Sequence, residues 1–373
     1  MKRNKVQLYL FGLLAAGLLA GCAAGSVEDI VPEDSRPVTL SFGNPDLGVP
    51  TVVTRADGAT PAATPLPAGA TVRICAYFTG KLADTPVPAV FATDAPSFEA
   101  TYVVGADGAL TPCRVDDDGK QMPGDAGGLT VRGGIYDFYA VSPARKLTKA
   151  ADSNYKITGI PHKEDVMTST VRDVKISQKS HLVTLDAFKR KCALVVFNVA
   201  PSSDNIIKFK TLKATKLVVS RIASSGASLV AGSETNIPAA GGSDGAGATV
   251  TFESGDFEAV DPGSDPDGIG LNKTKGILLP KSNEAFQVEI QVQRDEETAT
   301  LKATIDKNIT FDEGKRYVFT LLVKDNISTL NMSVQPWNTI VFQDDQVGTP
   351  DTPYPDPDII GGSTPVTLAE WRN

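Results

Sequence analysis

Histidine is almost missing from this chain of 373 residues: His162 and His181 are the only two. That leaves little for general acid–base work or imidazole metal sites. Cysteine is nearly as scarce. Setting aside Cys22, which closes the leader, Cys75, Cys113 and Cys192 remain, an odd number without a CxxC pair. A thioredoxin motif and a four-cysteine zinc site are therefore excluded, and one thiol at least is free or paired between chains. Positive charge is short as well, with 36 Lys and Arg against 44 Asp and Glu and a formal net charge of -8. No basic run compensates locally, which excludes a nucleic-acid reader that lives on phosphate neutralisation. No G-x-S-x-G elbow, P-loop or H-E-x-x-H occurs, and His181 opens a strand without a triad partner. The expectation is no enzyme, no cofactor and no metal; a secreted hydrolase would lack its nucleophile–base pair.

Glycine and proline are plentiful, 33 and 25, while 41% of residues are hydrophobic and 21% charged. These are values of a folded chain rich in turns and short strands. The length suits about two domains at ~100–200 residues each. Lys2, Arg3 and Lys5 precede an apolar run over residues 8–20 that ends in Leu19, Ala20, Gly21 and Cys22. A basic start, a core too short to span a bilayer comfortably and small residues at the end make a secretory signal peptide. Its last four residues resemble the bacterial lipobox, whose cysteine is acylated, so Cys22 is the expected lipidation site (palmitate among the acyl chains) and outer-membrane lipid its partner. The acidic stretch that follows, with Glu28, Asp29, Glu33 and Asp34, reads as a solvated tether.

Strand-like runs then fill the chain. In the first half they fall at residues 38–42, 51–54, 71–78, 97–104, 136–141, 155–160 and 171–177, separated by breakers such as Gly43-Asn44-Pro45. In the second half they fall at 182–185, 193–199, 216–222, 248–252, 276–279, 285–293, 298–305, 316–324 and 329–335. Phe286, Val288, Ile290 and Val292 alternate with Gln287, Glu289 and Gln291, the period of a half-buried antiparallel strand. With no periodic helix between them, such strands point to an all-β sandwich architecture. Cys75 and Cys192 lie in strand runs and read as small buried hydrophobes. His162, among Lys163, Glu164 and Asp165, reads as a surface residue, and the Asp-rich turns at 116–119 and 265–268 lack the other ligands of a calcium loop.

Beyond Trp337 the composition changes. Residues 338–347 can still pair as a strand through Ile340 and Phe342. Pro350, Pro353, Pro355 and Pro357 follow, then an apolar tail with Ile359, Ile360, Val366, Leu368 and Trp371. Val366 and Leu368 face one side of an extended segment, and Trp371 can reach a terminal pocket.

The lipobox at Cys22, VTRA at 53–56, YDFYAVSP at 136–143, FKRKCALVVFNV at 188–199, FDEGKRY at 311–317 and VQPW at 334–337 come in a fixed order. Together they resemble the fimbrillin-like lipoproteins of the Bacteroidetes, the type V pilins and their tip and anchor relatives. The chain departs from that pattern at Lys189 and Arg190, where relatives often carry a histidine after the phenylalanine. The resemblance implies two transthyretin-like β-sandwich domains in tandem. Residues 1–21 would be the signal peptide, 22–36 the tether, 37–178 and 179–347 the two sandwiches, and 348–373 a Pro-rich linker with a donor-strand tail. It further implies a structural, adhesive subunit of fimbriae at the outer membrane. In that scheme an Arg-specific protease cuts between Arg55 and Ala56 and removes the first strand, residues 38–42 with 51–54. A strand from another pilin subunit then fills the groove, with Ile359, Ile360, Val366, Leu368 and Trp371 as donor, and a host or bacterial receptor is a further partner. The alternative is a surface lipoprotein that never polymerises and binds a glycan or host ligand.

Overall fold

The computed structural model describes residues 36–48, 51–52, 63–201, 210–233, 249–260, 271–280, 285–305, 309–323, 329–336, 339–340 and 364–365. Nearly all of their regular structure is β-strand; one short 3-10 turn spans Ser254–Asp256. No helix of the described residues is long and apolar enough to cross a membrane.

One six-stranded sheet organises the N-terminal half, in the order Lys189–Arg190, Met167–Ile176, Gly134–Ser142, Thr71–Gly80, Phe98–Val104, Leu110–Pro112. All its pairings are antiparallel. Its two central strands are buried almost end to end, because both faces are covered. Val72, Ile74, Ala76, Phe138 and Ala140 enter one core; Cys75, Tyr77, Tyr139 and Val141 enter another on the opposite side. Burial on two faces explains why these strands read as continuous apolar runs without alternation.

The C-terminal half places a second six-stranded sheet over a four-stranded one. The larger sheet runs Glu258–Val260, Leu271–Leu278, Ala193–Pro201, Lys315–Val323, Thr329–Pro336, Thr364–Pro365, and the smaller one Thr249–Glu253, Leu212–Ser220, Phe286–Arg294, Glu297–Ile305. Between them lies a core of alternating inward residues, with Phe197 stacked on Phe319 at 5.1 Å and Phe286 against Phe311 at 5.1 Å. The strand Phe286–Arg294 buries every second residue from Phe286 to Val292, as its period of two predicts. Gly276 is needed there for space, since a Cβ would lie 2.5 Å from the Phe252 ring. Ala193–Pro201 and Lys315–Val323 pair in parallel, in register from Leu194 opposite Arg316 to Pro201 opposite Val323.

The two halves touch through a third core. Ala223, Leu229, Ala231 and Leu279 pack with Phe91, Tyr139, Ile157 and Cys192, and Ala227–Val230 pairs with Tyr155–Ile160 across the join.

Candidate strand-exchange site

The N-terminal segment from Pro37 to Leu47 lies over one face of the first sheet. Pro37–Thr39 runs antiparallel to Thr130–Arg132, and Ser41–Phe42 runs parallel to Leu182–Val183. The segment is therefore wedged between two neighbours. On one flank the Leu40 amide donates to the Leu129 carbonyl at 2.8 Å; on the other, Ser41 donates to His181 at 3.0 Å and Gly43 to Val183 at 2.9 Å. Beneath it Val38, Leu40 and Leu47 are buried in the core. The Phe42 ring meets Tyr102 edge-on at 5.3 Å and Phe138 at 6.2 Å. The three buried side chains supply roughly 4.5–9 kcal/mol, at about 1.5–3 kcal/mol each, and the partly buried Phe42 adds less than its full share.

The flank at Leu129–Arg132 is held independently of the wedge, whereas Leu182–Val183 has the wedge strand as its only strand partner among the described residues. The Leu129 amide donates to the Tyr102 hydroxyl at 2.7 Å, and the Tyr136 hydroxyl donates to the Arg132 carbonyl at 2.9 Å. Both tyrosines belong to the main sheet, and burial raises both hydroxyl pKa values. Without the wedge, the Leu129, His181 and Val183 carbonyls would face an apolar slot with no main-chain partner, an open sheet edge of the kind free monomers avoid.

Further along, Thr51–Val52 pairs in parallel with Thr339–Ile340, so part of the expected strand at 338–347 forms. Of the tail, only Thr364–Pro365 is described. Thr364–Pro365 pairs antiparallel with Asn331 and Met332 at the edge of the second sheet. A free edge strand is an available template whichever chain supplies the partner. Cys22, Arg55, Ala56, Ile359, Ile360, Val366, Leu368 and Trp371 lie outside the described residues, as does the Asp-rich turn at 265–268.

His162 departs from its expectation as a surface residue. Its Nε2 lies 2.6 Å from the Ala223 carbonyl, and its Nδ1 accepts the Leu279 amide at 3.1 Å. Only the neutral ring protonated on Nε2 can make both bonds. Burial lowers its pKa, partly offset by the bond to Ala223. The apolar neighbours that bury it arrive from Ala223 and Leu279, far off in sequence, which is why its charged local context misleads. The turn at 116–119 is tied up differently from a calcium loop. Asp116 accepts the Lys120 amide at 2.8 Å, Asp117 pairs with Lys146 at 3.5 Å and Asp118 with Arg145 at 3.0 Å. No cluster able to hold a metal exists among the described residues. Cys75, Cys113 and Cys192 are free and buried. Burial is the largest cause that pushes Cys75 and Cys192 up to about 12, which leaves them protonated and unreactive.

Sequence reading misses the short partners of the wedge. Thr130–Arg132 and Lys189–Arg190 are too brief to carry a period, though Gly127, Gly128, Gly133 and Gly134 do bracket the first.

Stacked sheets of mostly antiparallel strands around buried cores define an all-β protein of the sandwich class. Residues 118–337, more than half of the chain, match the family model described as fimbrillin-like, and the chain belongs to that family. No curated protein matches its sequence. Among solved structures it resembles a Bacteroides fragilis protein described as a cell adhesion protein, at 17% identity and a TM-score of 0.50, over 80% of this chain and 98% of that one. A Bacteroides uniformis protein of the same description follows, at 13% identity and a TM-score of 0.46, over 81% of this chain and 98% of the other. The C-terminally truncated tip fimbrial protein Mfa3 of Porphyromonas gingivalis shares 9% identity at a TM-score of 0.35, over 72% of this chain and 95% of its own. The last two superpose loosely; the likeness of fold rests on the first.

Proposed function

We propose that this protein is a structural, adhesive subunit of surface fimbriae, exported as a lipoprotein through Cys22 and assembled by strand exchange after cleavage between Arg55 and Ala56. The fimbrillin-like family supports a fimbrial or adhesin role at the cell surface, structural and not enzymatic. One observation supports the finer reading: the segment Pro37 to Leu47 completes a core through side chains and main-chain bonds, while its neighbour Thr130–Arg132 is anchored without it through Tyr102 and Tyr136. A strand so placed can be exchanged for another of similar pattern, with main-chain bonds supplying affinity and alternate side chains supplying fit. Its partners are outer-membrane lipid, an Arg-specific protease and other pilin subunits, with a host or bacterial receptor beyond them.

The chain divides into two sandwich units in this reading. The pairing of Leu182–Val183 and Lys189–Arg190 with N-terminal strands favours a join near Lys191, later than the 178/179 boundary the sequence suggests. Ile359, Ile360, Val366, Leu368 and Trp371 form the donor strand. The pairing of Thr364–Pro365 with the chain's own second sheet favours a variant in which the subunit is a tip or anchor and keeps its tail.

The test uses two substitutions in cells. Cys22→Ser is expected to abolish fatty-acid labelling. Arg55→Ala is expected to leave a folded, lipid-anchored monomer and no SDS-resistant ladder; normal ladders from that variant would place the cut elsewhere or make it unnecessary.

A further inference from the structure

We propose that residues 27–34 of this chain dock on an aromatic ledge formed by Phe78 and Phe98, so that the acidic stretch is a clasp on the first sheet and not a free tether. The described residues begin at Arg36, so the clasp itself lies outside them. The ledge is on the face of the sheet that the wedge covers, at the end where the wedge begins.

The strand Thr71–Gly80 is buried at every position from Thr71 to Tyr77 and then exposes Phe78 at 48%. Phe98, 40% exposed, stands directly opposite Ala76 in the neighbouring strand. Phe78 is two residues beyond Ala76 and shares its face, which makes the two phenylalanines diagonal neighbours. The ledge is fixed from behind. The Phe78 ring meets Tyr136 edge-on at 5.5 Å, and it occupies the space over Gly134, where a Cβ would lie 2.7 Å from it. Its amide donates to the Ser97 hydroxyl at 3.1 Å.

The occupant is argued from where the chain enters. Pro37 lies opposite Arg132, whose carbonyl accepts the hydroxyl of Tyr136, the residue that packs on Phe78. The chain before Pro37 therefore arrives beside the ledge, and the six steps from Arg36 back to Ile30 can span ~20 Å at ~3.3 Å each. Val27, Ile30 and Val31 are set there among Glu28, Asp29, Glu33 and Asp34. The rim of the ledge has the opposite charge. Lys81 follows the strand that ends at Gly80, Arg132 faces Pro37, and Lys179 adjoins Gln178, whose side chain donates to the Pro37 carbonyl at 3.1 Å. All three cations are exposed, and none has an ion-pair partner among the described residues. Asp84, beside Lys81, accepts that residue's amide at 3.0 Å, and the rim stays cationic on balance. Exposed rings edged by cations suit aliphatic residues flanked by carboxylates. A segment of the same chain meets them at a high effective concentration that a separate partner lacks.

Docking would leave only residues 22–26 as a free lead toward Cys22, roughly 17 Å when extended. On the fimbrial reading, a cut after Arg55 would remove clasp and wedge together and open the ledge in the mature subunit. The docking itself needs neither lipid nor cleavage, so its failure would leave that reading standing.

The test is amide hydrogen exchange, read by mass spectrometry, on the uncleaved chain of residues 22–373 at low salt, with a peptide of residues 22–36 as the free reference. Expected is exchange across residues 27–34 slowed about tenfold or more against the peptide, with residues 22–26 at the peptide rate. The slowing should shrink in about 1 M salt, where the screening length falls to ~3 Å. Ile30→Asp and Phe98→Ser should each restore the peptide rate. Ile30 lies outside the sandwich, so Ile30→Asp decides the matter if Phe98→Ser lowers the melting temperature. Residues 27–34 exchanging at the peptide rate in the wild type, or slowing that survives Ile30→Asp, overturns the proposal. Slowing that grows with protein concentration would give the ledge to a second copy and overturns it too.

Discussion

Leu40→Ala examines how much the wedge contributes to the uncleaved protein. Leu40 is 5% exposed and packs in the core beneath the segment. Its amide donates to Leu129 through the backbone, so the substitution removes packing while keeping the hydrogen bond. Leu→Ala changes in well-packed cores cost about 2–5 kcal/mol, the transfer of the lost methyls plus the cavity left behind. Strands on both flanks limit collapse of the site, which puts the expected loss at about 3 kcal/mol. For a unit of this size that corresponds to a fall in melting temperature of roughly 6–12 °C, at about 2–4 °C per kcal/mol. The assay is thermal and urea unfolding of the uncleaved chain, wild type against variant. The same substitution should be silent once the protein has been cleaved after Arg55 and has taken up a donor strand, because residue 40 has then left. A loss below about 0.5 kcal/mol, the scale of ordinary surface substitutions, would refute the view that this segment is part of the sandwich.

Three other outcomes are expected. Asp137 is fully buried and accepts the Ala89 amide at 2.9 Å, the Asp173 amide at 2.9 Å and the Arg172 guanidinium at 2.6 Å. Asp137→Asn turns one acceptor into a donor facing donors, and urea unfolding should report a loss of about 2–4 kcal/mol, somewhat under the usual cost of breaking a buried pair because Arg172 is half exposed. His162 contributes fully while its ring is neutral, above its unfolded pKa of about 6.5; because its folded pKa is lowered, that stability fades as pH falls through 6.5 toward the folded value. Urea midpoints at successive pH values should therefore drop less for His162→Gln than for wild type, and the subtraction isolates this group from Asp165, whose burial-raised pKa acts in the opposite direction. Deleting residues 359–373 should stop ladder growth after cleavage at Arg55; unchanged ladders would move the donor to the strand at 338–347.

The strands that sequence revealed are those whose chemistry is local. Phe286–Arg294 shows its single buried face as an alternation, and Gly134–Ser142 shows its two buried faces as an unbroken apolar run. What stayed hidden depends on distant partners. The parallel pairing of Ala193–Pro201 with Lys315–Val323 joins segments more than a hundred residues apart, and no local pattern encodes it. Thr130–Arg132 and Ala227–Val230 are three and four residues long, too short for a period to emerge. His162 looks like a turn residue until Ala223 and Leu279 close over it. The cavity lined by Tyr139, Thr170, Lys189 and Glu313 is similarly non-local, since these residues meet only through the sheet and the join. The wedge was legible as an apolar strand at 38–42, and its partners at 130–132 and 182–183 were what the sequence could not name.

The mature N-terminus of protein taken from assembled surface material tests the central claim most directly. Cleavage and exchange require it to be Ala56, in SDS-resistant ladders from which residues 37–47 are absent. Protein that begins at acylated Cys22 and retains residues 37–47 within those ladders would contradict the account.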